Sequence, residues 1–476
     1  MEIKNDAGCG IRNYLYRNIL DIMALISYDD FTIDSRILTK LENAYTSRKI
    51  KEYFKQHGTM PESGVVETFA IPSNIMEEYK QYFYAKEYEK ELKGDRVLLF
   101  YEAGFNNLSE DLTNNINAIK SGYVPDANSN EILLVFSHLP ISANTYSADT
   151  SAVLHRIYKQ DGEIVEEELI TTQEGTPIAY DRMVSYILNV VRDLFPDSTY
   201  GVVFSSHATG WLPMGYSVAA TELYDEVPRG KITLRSWGQE YYNRSGKTYS
   251  TEVEIKDLVE AIPFKLDYVI FDACLMSTIE VAWEFRGKAK YFIASPCEVP
   301  ADGFGYNTMA ARLLQPMKPD LEGICMDYFE KYASRYGCAI TMVDCDALQP
   351  LANACQSLFS KYRTELKTLS GANVQTYDRI ESGKTYCAFF DLKDMIREAG
   401  ATEEELTTLQ NALDQGIVYE NHTNRFSRIN LNRCCGLSTY LPGDTNYEET
   451  AYHGTRFLDG WYKETYKWND ATGFIE

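Results

Sequence analysis

The chain of 476 residues carries 69 acidic against 46 basic side chains, a formal net charge of −23, and 10 cysteines. This balance argues against nucleic acid and anionic membrane surfaces as partners, because phosphate contacts need clustered Lys and Arg, whereas a negative field attracts basic peptides. The length suits one large domain with additions or two to three domains, and no apolar run approaches the ~20 residues needed to span a bilayer.

Residues 1–92 read as a helical accessory region: apolar side chains recur at helical spacing over 11–28 and 35–57, a Tyr-, Glu- and Lys-rich stretch covers 73–93, and 58–67 punctuates them. Strand candidates then alternate with helical stretches at 96–101, 132–136, 153–158, 199–204, 268–271, 291–294, 339–343 and 387–390, which predicts a βα-type sheet protein. Residues 157–171, with Asp161-Gly162 between two strand-like runs, predict a β-hairpin. The final residues, 446–476, carry Trp461 and Trp468 and are expected to pack back on the core.

Two of these strands end on residues that can do chemistry together. Tyr200-Gly201-Val202-Val203-Phe204 leads through Ser205-Ser206 to His207, and Val269-Ile270-Phe271 leads through Asp272-Ala273 to Cys274. Met276, Ile279 and Trp283 follow at helical spacing, which predicts that Cys274 lies near the first turn of a helix. Unpaired N–H groups there favour thiolate and lower a cysteine pKa from about 8.5. Neighbouring parallel strands would deliver both side chains to one edge of the sheet, where open α/β sheets place their sites. Between them runs a polar segment, 225–252, with Arg229, Lys231, Arg235, Arg244 and Lys247.

Phe271-Asp272-Ala273-Cys274-Leu275-Met276, with Ile293-Ala294-Ser295 and Glu298-Val299-Pro300-Ala301-Asp302-Gly303-Phe304 behind it, resembles the nucleophile region of the clostripain-like cysteine peptidases. Val97-Leu98-Leu99-Phe100-Tyr101-Glu102-Ala103-Gly104, continuing Asn106-Asn107-Leu108-Ser109, is similar to that family's first core strand, and Gly436-Leu437-Ser438-Thr439-Tyr440-Leu441-Pro442 to its last. The resemblance covers roughly 95–445 and implies a caspase-like peptidase domain over 93–445, an α/β/α sandwich around a mostly parallel sheet. It further implies cleavage after Arg or Lys by a Cys-His dyad, with Cys274 as nucleophile and His207 as general base. Asp272 and Asp302 match the acidic residues of the S1 pocket, and the N–H groups of Ala208 and Cys274 the oxyanion hole. Two departures stand out. Ala208 replaces a usual glycine, a strain of about 1 kcal/mol if that residue needs a positive φ. Ser206 replaces an acidic residue, which leaves a backbone carbonyl to fix the histidine tautomer. Family members are often activated by cleavage between His and Cys, and Arg229, after Pro228, is the first choice for such a site here.

The remaining cysteines lack metal-ligand spacing, so Cys297, Cys325, Cys338, Cys355 and Cys387 are expected to be buried thiols. No cofactor is required by this reading. Some family members are stimulated by calcium, but no EF-hand-like run is present, and Asp344-Cys345-Asp346 is too short a carboxylate cluster to make a site by itself. Cysteine usage and the lack of a secretory leader point to the cytoplasm; export is the expectation if Met1 replaces a removed leader. Two other classes are compatible with the sequence: a catalytically silent caspase-like module that binds peptides, and a cysteine hydrolase acting on amides or esters that are not basic peptides. An α/β-hydrolase is disfavoured by the absence of a Gly-x-Ser-x-Gly elbow, and a papain-like enzyme by the order His before Cys.

Overall fold

The computed structural model describes residues 95–142, 146, 148–213, 236–244, 247–316, 318–378, 388–442 and 455–476. The N-terminal helical region expected over 1–92 lies outside the described residues, as do Cys387 and Arg229. The chain divides into two compact units, residues 1–95 with 192–198 and residues 96–191 with 199–476, and the second carries the central sheet.

That sheet has nine strands. Strands β1 (Arg96–Ala103), β2 (Glu131–His138), β3 (Val153–Gln160), β4 (Glu163–Thr171), β5 (Thr199–Ser205), β6 (Trp237–Arg244), β7 (Lys247–Val253), β8 (Leu266–Asp272), β9 (Ala289–Ala294), β10 (Ala339–Asp344), β11 (Phe390–Asp391) and β12 (Ile417–His422) alternate with helices. The sheet order is β12-β10-β9-β8-β5-β1-β2-β3-β4. The middle five strands are parallel, and their apolar runs are buried on both faces, as expected where helices cover both sides. Both edges are antiparallel: β9-β10-β12 on one side and β2-β3-β4 on the other. The β3–β4 turn is the expected hairpin, with Asp161 and Gly162 at φ 54° and 86°.

One face of the sheet presents Leu98, Phe100, Val203 and Ile270 to helices α1 (Ser109–Ser121), α5 (Tyr306–Leu314) and α6 (Leu321–Ala333). The opposite face stacks Tyr101, Phe204 and Phe271 against Trp237, Phe285 and Phe292. Helix α2 (Asp181–Leu194) buries Met183, Val184, Ile187, Leu188 and Val191; α3 (Ile255–Ala261) and α4 (Ile279–Glu284) flank β8. Helices α7 (Gln349–Lys361), α8 (Leu392–Glu398), α9 (Glu403–Gly416), α10 (Thr455–Thr465) and α11 (Lys467–Thr472), with a single turn at Arg363–Leu366, belong to the same unit. At the C-terminus Trp468 packs edge-on to Trp283 at 5.2 Å, and the Tyr462 hydroxyl donates to Glu280 at 2.6 Å.

Three expectations are corrected. The polar segment 225–252 contains most of a β-hairpin, β6 and β7, because the apolar Trp237 and the buried Gln239 and Glu240 belong to the core. Of the expected strands 387–390 and 436–442, the described residues 388–390 and 436–442 do not join the central sheet. Their strands shrink to β11 and to Ser438–Thr439, which pair with each other. Gly436, at φ 86°, turns the chain just before the second of them. The edge position belongs instead to β12, which the sequence reading passed over. No described helix is long and apolar enough to cross a membrane.

Candidate active site

Strands β5 and β8 are hydrogen-bonded neighbours in parallel register, with Ser205 opposite Asp272. Two residues beyond each strand end come His207 and Cys274, so the topology sets the two side chains at matching levels on adjacent strands. Their loops touch: a Cβ on Gly210, which has φ 53°, would collide with the carbonyl oxygen of Leu275. The order of connections reverses between β1 and β5, and such a switch point opens a crevice at the carboxyl ends of the strands.

The histidine loop is pinned on three sides. Ser206 Oγ donates to the Ala103 carbonyl at 2.8 Å and accepts the Gln239 N–H at 3.1 Å. The buried Asn106 amide donates to the carbonyls of Ala103 and Gln239 at 2.9 and 2.6 Å. The His207 carbonyl accepts the Gly238 N–H at 2.8 Å, and the Thr209 N–H donates to Ser236 at 3.3 Å. This pairing bridges Ala208 to Trp237 without using the Ala208 N–H. Ala208 is not among the residues with positive φ, so the strain expected for an alanine there does not arise. His207 Nε2 lies 2.7 Å from Asn107 Oδ1. An amide oxygen only accepts, so Nε2 carries the proton in the neutral ring and Nδ1 keeps the lone pair. The Asn107 side chain thus selects the tautomer, a role that the sequence reading gave to a backbone carbonyl.

Cys274 is not in a helix. After β8 the chain turns through Leu275, a non-glycine residue at φ 61°, and α4 starts only at Ile279 behind the N-cap Thr278. The placement near a helix N-terminus is therefore corrected, and with it the dipole argument, which fades beyond the first turn. The sulfur is instead held by the strand-like 295–300 loop: Val299 donates its N–H to Sγ at 3.3 Å, and the Val299 carbonyl lies 3.7 Å from Sγ. Leu275 and Ser277 anchor on the same loop, donating to the carbonyls of Cys297 and Ser295 at 2.9 and 3.0 Å. An N–H aimed at sulfur stabilises charge on it. Half-buried, the thiol is reachable from the crevice side.

A row of polar side chains crosses the sheet beneath these loops. Glu102, Ser205 and Asp272 are register partners on β1, β5 and β8, all facing α5. The Tyr306 hydroxyl donates to Asp272 at 2.5 Å and contacts Ser205 Oγ at 2.8 Å; Ser205 lies 3.1 Å from Glu102. Burial pushes Asp272 up to about 6, against the opposing pull of Tyr306, Lys331 and the Phe304 N–H. Burial and the Asp272 charge push Glu102 well above the carboxylate range. Asp302 does not join this row. Its carboxylate is exposed and 3.9 Å from Arg335, while its carbonyl accepts the Lys331 ammonium at 2.8 Å. The carboxylate row, Tyr306, Lys331 and the role of Asn107 escaped the sequence reading. Glu102 could have been found, since a carboxylate amid the apolar run 97–103 demands a partner.

The other described cysteines are mostly inert thiols: Cys297, Cys325, Cys338, Cys345, Cys355 and Cys435 are buried and pushed upward by desolvation. Among the described residues no cluster of His, Cys, Asp or Glu has metal-binding geometry.

The profile of the Clostripain family matches residues 100–473. Clostripain of Hathewaya histolytica is 23% identical over 436 aligned positions, covering 77% of this chain and 79% of that protein. Among solved structures, an inactive zymogen C11 protease from Parabacteroides distasonis superposes with a TM-score of 0.63 and 26% identity, over 80% of this chain and 98% of that one. A secreted C11 cysteine protease from Bacteroides thetaiotaomicron, in complex with an irreversible peptide inhibitor, shares the fold: TM-score 0.62, 22% identity, 80% and 99% coverage.

Proposed function

The chain belongs to the clostripain family, a cysteine endopeptidase of caspase-like fold, and we propose that it cleaves peptide bonds after Arg or Lys with His207 and Cys274 as its dyad. The observation that supports this reading is the matched register of β5 and β8, whose ends lead within two residues to His207 and Cys274, with Asp272 buried at the end of β8.

In this reading His207 Nδ1 takes the Cys274 proton and the sulfur attacks the scissile carbonyl carbon. The N–H groups of Ala208 and Cys274 receive the oxyanion. Collapse expels the amine, which takes the proton back from His207 and leaves a thioester on Cys274. Water, deprotonated by His207, then releases the acid and regenerates the thiol, so one hard amide hydrolysis becomes two easier steps. The guanidinium or ammonium of the P1 side chain is matched to Asp272, the buried acid nearest the nucleophile, with Asp302 at the rim. That a similar structure is an inactive zymogen fits activation by processing; the proposed event is self-cleavage between the dyad residues, at Arg229. Peptides or proteins with basic residues are the partners, in line with the net charge of −23.

The test is turnover of paired fluorogenic peptides ending in Arg, Lys, Leu or Asp by the wild type and by Cys274→Ala. Arg and Lys cleavage that vanishes in the variant establishes nucleophile and S1 preference together. Failure to cleave any of them, with and without calcium and reductant, points to an unprocessed zymogen where mass spectrometry finds the chain intact, and otherwise removes the proposal in favour of a silent peptide-binding module.

A further inference from the structure

Helix α6 sends a cation into the proposed S1 wall. The Lys331 ammonium is bonded by three successive backbone carbonyls, those of Asp302, Gly303 and Phe304, at 2.8, 3.0 and 2.9 Å. The next residue, Tyr332, donates its hydroxyl to the same Gly303 carbonyl at 2.6 Å. This loop presses on Asp272: Gly303 sits at φ 59°, a Cβ on it would collide with the Asp272 carboxylate, and the Phe304 N–H bonds that carboxylate. A lysine in the last turn of a helix ordinarily faces its own helix's carbonyls or water. Here it leaves its helix to donate to three carbonyls of another loop, which is a built contact.

Resting on the Arg/Lys reading above, we infer that Lys331 is a positioning residue of the S1 subsite: its ammonium locks the 302–304 loop against Asp272 and sets a positive charge beside this buried carboxylate until a P1 Arg or Lys arrives. The described groups facing Asp272 are Glu102 from β1, Tyr306 from α5, and Lys331 and Tyr332 from α6, while the exposed Asp302 carboxylate lies by Arg335. Of those facing Asp272 only Lys331 is cationic. Glu102 is pushed upward by burial and by the Asp272 charge, and it offers that carboxylate no counter-charge. Removing the ammonium therefore moves ionisation of Asp272 to higher pH, and basic substrates lose their counter-charge first on the acidic side.

The experiment compares wild type, Lys331→Met and Lys331→Arg by kcat/KM on an Arg-ending peptide across pH 5–9, with iodoacetamide alkylation of Cys274 followed in parallel by mass spectrometry. The expected result for Lys331→Met is an acidic limb displaced upward, with a loss of roughly tenfold at pH 6 that closes toward pH 8, alkylation unchanged, and recovery of the limb in Lys331→Arg. A loss by one factor at every pH, or a Lys331→Arg variant no better than Lys331→Met, marks a merely structural lysine and overturns the inference. If the wild type itself does not cleave after Arg or Lys, the specificity reading has failed instead, and that is visible without either variant.

Discussion

Asn107 Oδ1 holds His207 Nε2 at 2.7 Å, across the seam where β1 and β5 leave the sheet in opposite directions. The contact assigns the basic lone pair to Nδ1 and fixes the ring plane, the work a carboxylate does in a triad. Asn107→Ala is expected to lower kcat roughly 10- to 100-fold, a part of the factor that a positioned base supplies, with KM nearly unchanged. Steady-state kinetics on an Arg-ending peptide decides this. A change confined to KM would make Asn107 a substrate contact and leave the tautomer to some other group.

Cys274→Ala is expected to abolish turnover, and His207→Ala to do nearly the same, while thermal unfolding stays close to wild type. The sulfur is half-buried and hydrogen-bonds with the N–H and carbonyl of Val299, so its removal leaves no large cavity and costs about 1 kcal/mol or less. Turnover retained in Cys274→Ala would place the nucleophile elsewhere.

How far the sequence spoke depended on what kind of signal each element carried. The parallel strands were legible because β1, β5 and β8 are buried on both faces and read as unbroken apolar runs, and their order predicted which ends meet. The helix over Cys274 was misread because Met276, Ile279 and Trp283 are buried at helical spacing although only Ile279 and Trp283 are helical; the marker was Thr278, an N-cap four residues after the cysteine. Asn107 and Lys331 could not be assigned, since each acts on a residue 100 or about 30 positions away through a contact that only the tertiary fold creates. The hairpin β6–β7 gives a weak strand signal because Gln239, Glu240, Asn243 and Arg244 interrupt the strand-forming Trp237, Tyr241 and Tyr242.

Asp272, the acid proposed to meet the P1 side chain, carries a cost in stability. Its carboxyl is displaced from 3.8 to about 6, chiefly by burial. A raised folded value means that this group's contribution is fully present below the ordinary value near 4 and is lost as pH rises through 6, by about 3 kcal/mol. Asp272→Asn is therefore expected to melt several degrees above wild type at pH 7.5 and to converge with it near pH 4. The same variant should lose Arg and Lys turnover far more than alkylation of Cys274. Paired calorimetry at the two pH values checks the first statement; a variant less stable than wild type at pH 7.5 would show that the Tyr306 and Phe304 hydrogen bonds outweigh the buried charge.

Asp302 is expected to behave differently from its sequence partner. Its carboxylate is about three-fifths exposed and meets Arg335 at 3.9 Å, the setting of a screened surface pair worth less than ~1 kcal/mol. Asp302→Asn should thus lower kcat/KM for basic peptides only a few-fold, and less still at high salt. A loss equal to that of Asp272→Asn would mean that substrate draws Asp302 inward, so that the two acids act as a pair.

Gly303→Ala separates the shape of the acidic pocket from its charge. At φ 59° alanine is strained by about 1 kcal/mol, and its methyl group points into the Asp272 carboxylate, so either the loop retreats or the carboxylate turns. Both responses break the geometry that the Phe304 N–H and the Lys331 ammonium hold, while no charge has been removed. The expected outcome is a raised KM for Arg and Lys peptides with alkylation of Cys274 preserved, read by kinetics and mass spectrometry on the same preparation. Unchanged KM would show that the loop's contact with Asp272 serves packing alone and that P1 binds away from it.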